Sequence, residues 1–221
     1  MEFSKSEQNL VKRGAHKATY NKEEIYSILD SSLICTIAFK VDDKAFVQPI
    51  NFGRKEDTLF VHGSLQNRMT NSLIESGEAC INVFHLDSMK LTRSAFHHSV
   101  NFRSAVIFGK VRELKTNEEK IEGLKSIINH FVPGRWDHCR FPTDNELKAT
   151  RVIVIDIETA SAKIANSPPS DNKEDYDLDF WAGEIPIKTI CENPIPDEKL
   201  NKEITMPQHV SEFYENRKNG F

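Results

Sequence analysis

Residues 33–52, with the sequence LICTIAFKVDDKAFVQPINF, contain two apolar-rich runs separated by the pair Asp42-Asp43. Both runs are short and rich in β-branched and aromatic residues, which is typical of strands. Adjacent acidic residues between two such runs favour a tight turn. This stretch therefore predicts an antiparallel hairpin formed by Leu33–Phe39 and Ala45–Phe52.

The rest of the chain has more strand patterns, interrupted by helix patterns at irregular intervals. The order lacks the strand–helix alternation of a parallel α/β sheet, and no dinucleotide fingerprint or phosphate-binding loop motif occurs. An antiparallel barrel, closed or split, is therefore expected. The further strands are predicted at Thr58–His62, Ala79–Leu86, Val100–Leu114 and Arg151–Ile164, and the helices at Lys22–Leu29, Leu65–Ser76, Thr116–Phe131 and Thr143–Ala149.

The composition of the 221-residue chain is that of an ordinary globular protein, with 38% hydrophobic and 28% charged residues and a net charge of −4. This charge disfavours nucleic-acid and membrane-surface partners. The N-terminus lacks the apolar core of a signal peptide, and the cysteines have no metal or redox spacing, so we expect a cytoplasmic protein. The predicted divisions are a flexible N-terminus (1–12), a barrel domain (13–165), an extended segment on the barrel (166–191) and a polar tail (192–221).

The segment Val61–Met69, VHGSLQNRM, combines a strand end, a glycine turn and a helix start. Ser64 is predicted to cap the helix and Arg68 to lie one turn into it. A helix N-terminus suits a phosphate, and a guanidinium can add a bidentate contact. A plain capped helix with a solvated arginine explains the same pattern, so the residues alone leave both interpretations open.

The segment Leu91–Ser104, LTRSAFHHSVNFRS, concentrates polar side chains just before a long apolar strand. If Arg103 is buried at the start of that strand, it needs an anionic partner. The neighbours His97 and His98 would point to opposite faces of a strand, which argues against one shared metal ion. A polar loop leading into a strand is the simpler interpretation.

Two further segments contain residues that can carry chemistry. Asp137–Arg140 has metal-capable residue types without a zinc spacing, which favours an exposed loop. Trp181 follows the polar, Pro-rich stretch 167–175. It is either a tail residue packed on the core or a ring that closes over a flat ligand.

Several motifs in order resemble the flavin-nucleotide-binding branch of the pyridoxamine 5'-phosphate oxidase-like family, of which nitroimidazole-resistance proteins are close relatives. The resemblance runs from about Val11 to Ile187 and implies a mainly β fold with helices, a six-stranded antiparallel split barrel. It also implies a homodimer that binds FMN in clefts at the subunit interface. The motifs are HGSLQNRM, RSAFHHSVNFRSAVIFGKV, HFVPGRW, ASAKI and FWAGEIPI.

The resemblance implies which residues surround FMN. Asn67–Met69 match the segment that holds the phosphate, and Gln48–Asn51 match the strand that runs along the isoalloxazine ring. His62 matches a position that belongs to the active site of nitroimidazole-resistance relatives, which makes it the catalytic candidate. The full set of cofactor-binding candidates is Gln48, Pro49, Ile50, Asn51, His62, Gly63, Ser64, Asn67, Arg68, Met69, Arg93, Ser94, His98, Asn101, Arg103 and Trp181.

The chain departs from the family pattern at two places. Phe102 stands where many relatives have tyrosine, and the basic C-terminal segment with which true oxidases hold their substrate phosphate is not recognisable. Vitamin B6 oxidation is therefore not expected, and Lys163 has no assigned role. The leading hypothesis is an FMN-dependent oxidoreductase acting on a small molecule; the alternatives are a non-catalytic, stress-associated FMN-binding dimer and a haem-handling split barrel.

Overall fold

The computed structural model describes residues 1–220. Within them the chain forms one mainly antiparallel sheet and five α-helices. The strands are β1 (Ala18–Thr19), β2 (Ile34–Val41), β3 (Lys44–Asn51), β4 (Gly53–Lys55), β5 (Thr58–Ser64), β6 (Glu78–Leu91), β7 (Ser99–Leu114), β8 (Thr150–Ala165) and β9 (Gly183–Pro186). The helices are α1 (Lys22–Asp30), α2 (Arg68–Ser76), α3 (Asn117–Phe131), α4 (Asp144–Ala149) and α5 (Gln208–Arg217), and 3-10 turns occupy Ala15–Lys17, Arg135–His138 and Lys173–Asp177.

The strand order is β3-β2-β6-β7-β8-β5-β4, while β1 pairs with β8 and β9 pairs with β6. Six strands of seven or more residues form most of this sheet, and β1, β4 and β9 are short additions. The predicted fold class, mainly β with helices on the six-stranded split-barrel pattern, is confirmed. The short strands carry too few residues to show a period of two, which explains why the sequence did not predict them.

The predicted hairpin is confirmed, with β2 and β3 paired from Ile34↔Asn51 to Val41↔Lys44. Asp42 and Asp43 both have positive φ values, 49° and 59°. Two left-handed residues in succession are what a two-residue hairpin turn of type I′ requires. The helices predicted to begin at Thr116 and Thr143 are also present, and each begins with a capping box, formed by Thr116 with Glu119 in α3 and by Thr143 with Glu146 in α4.

Strand β6 ends at Leu91, beyond the predicted end at Leu86. The added stretch contains Asp87, Ser88 and Lys90, which carry little strand propensity. They are nevertheless part of the sheet, because Ser88–Leu91 pairs with β9 from Ser88↔Pro186 to Leu91↔Gly183. A partner strand from the far end of the chain therefore overrides the local preference.

The chain divides into two compact units. The first unit contains residues 1–32, 82–107 and 159–188, and the second contains residues 33–81, 108–158 and 189–220 of the described chain. Ile25, Ile28 and Leu29 of α1 are buried in the first unit, whereas Leu59, Met69 and other apolar side chains are buried in the second. The predicted boundaries at residues 12, 165 and 191 stay predictions.

Glycine at one position brings helix α3 into direct contact with the sheet. A Cβ atom at Gly53 in β4 would lie 2.5 Å from the backbone of Ser126 and Ile127 in α3. Such an approach is open only to glycine. Helix α3 also contacts α4 and the 3-10 turn Arg135–His138, so this approach helps to position both.

Candidate functional site

The predicted phosphate-binding turn lies in the second unit, and its helix begins later than the sequence indicates. Ser64 is still part of β5, paired with Thr150 of β8. Helix α2 begins at Arg68, and its N-cap is Asn67, whose side chain accepts a hydrogen bond from the Thr70 N–H at 3.2 Å. The predicted cap at Ser64 is therefore wrong, because pairing with β8 extends the strand through that residue and asparagine caps as well as serine.

Arg68 consequently occupies the first position of α2 and not the second turn. Its guanidinium lies 4.2 Å from the centroid of the Phe46 ring on β3. Within residues 1–220 it forms no ion pair, and it is exposed. A free cation beside a helix N-terminus is an arrangement that suits a phosphate.

Two other predicted cofactor-binding residues near this turn, Met69 and Gly63, have structural roles. Met69 is fully buried in the core of the second unit, so its side chain has no exposed surface to offer a cofactor. A Cβ atom at Gly63 would lie 3.0 Å from the Asn67 side-chain amide nitrogen. Glycine at this position therefore leaves room for the cap of α2.

Gln48, Pro49, Ile50 and Asn51 lie on β3, at one end of the strand order. Strand β3 pairs with β2 on one side, and among the described residues its other backbone edge has no strand partner. Proline is tolerated in such an edge strand. The backbone groups at this edge are therefore open to a ligand, and the family resemblance implies that the isoalloxazine ring lies along this strand.

His62 lies on the opposite face of β5 from Gly63 and the Asn67 cap. It pairs with Val152 of β8, and this face is covered by α3 through Leu124 and Gly123. Successive strand residues point to opposite faces, so His62 points away from Gly63 and Asn67. Helices α3 and α4 contribute Leu124 and Leu147 to this face, and the position of His62 beside a flavin stays a prediction.

The His62 ring borders a small hollow of about 310 Å³ that Leu124, Pro142 and Leu147 also line. Burial lowers the pKa of His62, and its Nδ1 atom is buried without a hydrogen-bond partner in the described chain. The imidazole is therefore neutral at pH 7, with one N–H donor and one lone pair. Such a ring can orient a ligand by a hydrogen bond or bind a metal ion through its lone pair.

Arg140 and Glu146 form the polar wall of this hollow. Their side chains make two parallel hydrogen bonds of 2.9 and 2.7 Å. The Arg140 guanidinium, followed by the Thr143 backbone N–H, lowers the pKa of Glu146 to about 2. The pair therefore remains ionised at physiological pH, and Arg140 is already neutralised.

The remaining site candidates lie in the first unit, where three of the six, Arg93, Ser94 and Asn101, hold the segment after β8. Asp171 accepts hydrogen bonds from the backbone N–H groups of Arg93 and Ser94, each at 3.0 Å. The Arg93 guanidinium lies 3.5 Å from the same carboxylate, whose side chain is only 1% exposed. His98 binds locally, with its Nδ1 atom 3.1 Å from the Ser94 carbonyl oxygen.

Asn101 and Arg103 have similar internal partners. The Asn101 amide donates to the Ser167 carbonyl at 3.1 Å and to Glu184 at 2.8 Å, and its oxygen accepts from the Ser167 N–H at 3.1 Å. Arg103 forms a bidentate pair with Asp87. The anionic partner that the sequence demanded for Arg103 is thus an acidic residue of the neighbouring strand β6.

Asp87, Asp171 and Glu184 were missed by the sequence analysis. No motif distinguishes these three among the 33 acidic residues of the chain. Only the contacts reveal that they neutralise or anchor residues predicted to bind the cofactor. Of that predicted set in the first unit, Trp181 has an uncovered ring, which is 69% exposed and rests over Gly183.

Replacing Asn101 tests whether it anchors the segment after β8. Asn101→Ala leaves buried polar groups unpaired, so we expect the free energy of unfolding to fall by about 1–3 kcal/mol. We also expect faster proteolysis within residues 167–187. Urea denaturation and limited proteolysis measure the two effects, and the exposed Ser99→Ala on the same strand is the control, with a change below about 0.5 kcal/mol. An Asn101→Ala protein as stable and protease-resistant as the wild type would contradict the anchoring role.

Two general features bear on the chemistry of the chain. Among residues 1–220, no three histidine, cysteine, aspartate or glutamate side chains come together in a way that could hold a metal ion. None of the helices in the described chain has the length and apolar character that a membrane crossing requires.

Solved structures with similar folds give the context for these residues. The flavocytochrome Anf3 from Azotobacter vinelandii is 31% identical, with coverage of 94% of this chain and 96% of that chain and a TM-score of 0.88. The FAD and heme binding protein from Mycobacterium smegmatis is 30% identical, with coverage of 90% and 97% and a TM-score of 0.84. A candidate 5-nitroimidazole antibiotic resistance protein from Bacteroides thetaiotaomicron shares the fold at 23% identity, with coverage of 66% and 86% and a TM-score of 0.57.

Among curated proteins, none matches this chain. The family model described as "Pyridoxamine 5'-phosphate oxidase" matches residues 21–164. This range covers well over half of the chain, and it contains the hairpin, the turn before α2, β6, β7 and all of β8 except its last residue. The protein therefore belongs to the pyridoxamine 5'-phosphate oxidase family.

Proposed function

We propose that this protein binds a flavin, FMN in particular, and uses it in an oxidoreductase reaction on a small molecule. The observation that carries the proposal is the start of α2, where Arg68 has no anionic partner in the described chain and Asn67 caps the helix. The N–H groups of the first helical turn and the guanidinium can together bind a terminal phosphate. The names of the flavocytochrome and of the FAD and heme binding protein support a flavin.

The residues of this chain would bind and orient the cofactor, and a bound flavin would supply the redox chemistry. Arg68 and Asn67 would hold the phosphate end. The backbone of Gln48–Asn51, at the free edge of β3, would lie along the ring system. His62, neutral in its hollow, would offer a hydrogen bond to a ligand that reaches its face of the sheet.

A homodimer is the second part of the proposal. In the first unit, Phe84 and Leu86 of β6 are exposed, and Phe102 lies 5.9 Å from Phe84 between ring centroids. An uncovered apolar face of this kind is typical of an interface. A second copy of the chain covering it would also bring further residues to the flavin.

A haem-binding function beside the flavin is the second candidate. Two relatives at 30% identity or more are named as a flavocytochrome and as a FAD and heme binding protein. His62 fits the needs of an iron ligand, because its imidazole is neutral and its Nδ1 atom has no partner in the described residues. A neutral ring nitrogen is the form that binds a metal ion.

The Arg68 proposal is tested by flavin titration. Arg68→Ala removes a charge-assisted contact of about 1.5–3 kcal/mol, so the Kd for FMN should rise about tenfold to a hundredfold. The exposed Lys44→Ala on β3 is the control and should leave the Kd unchanged within about twofold. An unchanged affinity in Arg68→Ala would place the phosphate elsewhere. Chromatography of heat-released cofactor identifies the flavin, and FAD in its place would contradict FMN while leaving a flavin.

His62→Ala separates cofactor binding from catalysis. We expect the Kd for FMN to stay within about threefold, because the His62 ring faces away from the Asn67–Arg68 turn. If His62 assists a proton-coupled reduction, turnover with NAD(P)H and an acceptor should fall by about 100-fold. His16→Ala, an exposed histidine far along the chain, is the control. Unchanged turnover would exclude the catalytic role, and negligible wild-type turnover would favour a non-catalytic flavin binder.

The same His62→Ala preparation tests the haem candidate. Reconstitution of the wild type with haemin should give a Soret band if haem binds, and this band should weaken or shift when the imidazole ligand is removed. An identical band in both proteins would exclude His62 as the ligand. No band above that of free haemin would exclude haem.

Light scattering tests the homodimer. We expect twice the 25.3 kDa mass of one chain. Phe84→Glu places a charge in the exposed apolar face and should shift the protein toward the monomer, because burying an unpaired charge is unfavourable. A monomeric wild type that binds FMN tightly would contradict a cofactor cleft shared between subunits.

A further inference from the structure

Arg68, on which the flavin proposal rests, lies over an aromatic ring that the proposal does not use. The Cζ atom of its guanidinium is 4.2 Å from the centroid of the Phe46 ring. Phe46 lies on β3, two residues before the predicted cofactor-binding run Gln48–Asn51. A guanidinium this close to a ring is attracted by the negative potential of the ring face. The two side chains therefore interact without any ligand.

A second ring fixes the position of Phe46. Phe39 of β2 and Phe46 of β3 are directly paired across the hairpin. Their rings stack with 5.5 Å between centroids and 17° between planes. The Phe39 side chain is buried, and Phe46 is half-buried. Cross-strand aromatic pairs stabilise a sheet, and a well-packed ring stays in one rotamer. The Phe46 ring is therefore a fixed support beside the start of α2.

Helix α2 is attached to the same hairpin one turn beyond Arg68. The Ser72 hydroxyl donates a hydrogen bond to the Lys40 carbonyl oxygen at 2.5 Å. Residues four positions apart lie on the same face of a helix, so Arg68 and Ser72 both face the hairpin. The backbone of α2 therefore keeps the base of the Arg68 side chain near Phe46, in addition to the attraction between the two side chains.

The Phe46 ring holds the guanidinium without cancelling its charge. At Arg140, by contrast, the Glu146 carboxylate accepts two hydrogen bonds and neutralises the charge. Arg68 forms no ion pair within residues 1–220. An aromatic ring attracts the cation as a whole, and it does not take up the five N–H donors as a carboxylate does. Arg68 is therefore held in position while its charge and its donors stay available to an anion.

We infer that Phe46 is a positioning residue for the cofactor phosphate, because its ring holds the Arg68 guanidinium at the start of α2 before the ligand binds. A long, mobile side chain loses rotamer freedom when it binds a ligand, and this loss weakens the affinity. A side chain that is already held loses less. The inference rests on the proposed function and adds Phe46 to the phosphate site, although none of the family motifs contains this residue.

Titration of Phe46→Leu with FMN and with riboflavin tests the inference, because riboflavin has the same ring system and no phosphate. Leucine keeps an apolar side chain and removes the aromatic face. We expect the Kd for FMN to rise about threefold to tenfold and the Kd for riboflavin to stay within about twofold. Phe46→Tyr keeps the ring and should leave both values within about twofold of the wild type. An equal change for both ligands, or an unchanged or lower Kd for FMN, in Phe46→Leu would overturn the inference.

A double-mutant cycle shows whether Phe46 acts through Arg68, and it needs FMN alone. We expect Phe46→Leu to change the Kd for FMN by less than about twofold when Arg68→Ala is already present, because the guanidinium that the ring holds is then absent. A rise of about threefold to tenfold in that background would overturn the inference. Phe213→Leu is the matched control, because the Phe213 ring lies 4.6 Å from the Arg217 guanidinium on α5 and belongs to no predicted site. It should leave the Kd for FMN unchanged within about twofold.

Arg68→Ala separates the failure of this inference from the failure of the proposed function. If the wild type binds no FMN, or if Arg68→Ala binds FMN as tightly as the wild type does, the proposed phosphate site fails and the inference fails with it. If Arg68→Ala weakens FMN binding and Phe46→Leu does not, only the positioning role of Phe46 is overturned. Weaker FMN binding in both single variants, with no further loss in the double variant, supports both proposals.

Discussion

Three long antiparallel strands, β6, β7 and β8, are the constraint on which the rest of the structure depends. They have 14, 16 and 16 residues and contribute to both compact units. The backbone N–H and C=O groups of a buried strand must be hydrogen-bonded. The backbone hydrogen bonds to these three strands therefore determine where the adjacent strands lie. The hairpin reaches the sheet through β2 beside β6, and β5 reaches it beside β8. The start of α2 and the His62 hollow both depend on β5.

Polar and charged side-chain contacts form a second level of organisation in the first unit. Arg103 of β7 pairs with Asp87 of β6, Arg93 with Asp171, and Asn101 with Ser167 and Glu184. The contacts of Arg93 and Asn101 hold the segment after β8 within this unit, because the buried Asn101 amide and the covered Asp171 carboxylate need these partners. The polar motif around residues 91–104 therefore has a structural role whether or not a cofactor also touches it.

The second unit separates two environments that differ in charge and burial. The start of α2 presents an arginine without an acidic partner to solvent, and His62 lies in a half-buried hollow beside an ion pair whose charges neutralise each other. A phosphate suits the first environment, and a neutral hydrogen-bonding group suits the second. The difference arises because Arg140 already has a carboxylate partner and Arg68 has none in the described chain.

The sequence by itself determined the fold class, the family, the Asp42-Asp43 turn and the starts of α3 and α4, because these depend on local periodicity, capping and ordered motifs. It also identified Arg68 as a candidate for phosphate binding. The cap at Asn67, the strand β9 and the partners of Arg103 and Asn101 were decided only by tertiary structure. Alternation along β5 shows that His62 and Gly63 point to opposite faces, but only the packing of α3 and α4 decides which face is covered. Contacts between residues far apart in sequence have no local pattern, and for that reason the environment of His62 could not be predicted.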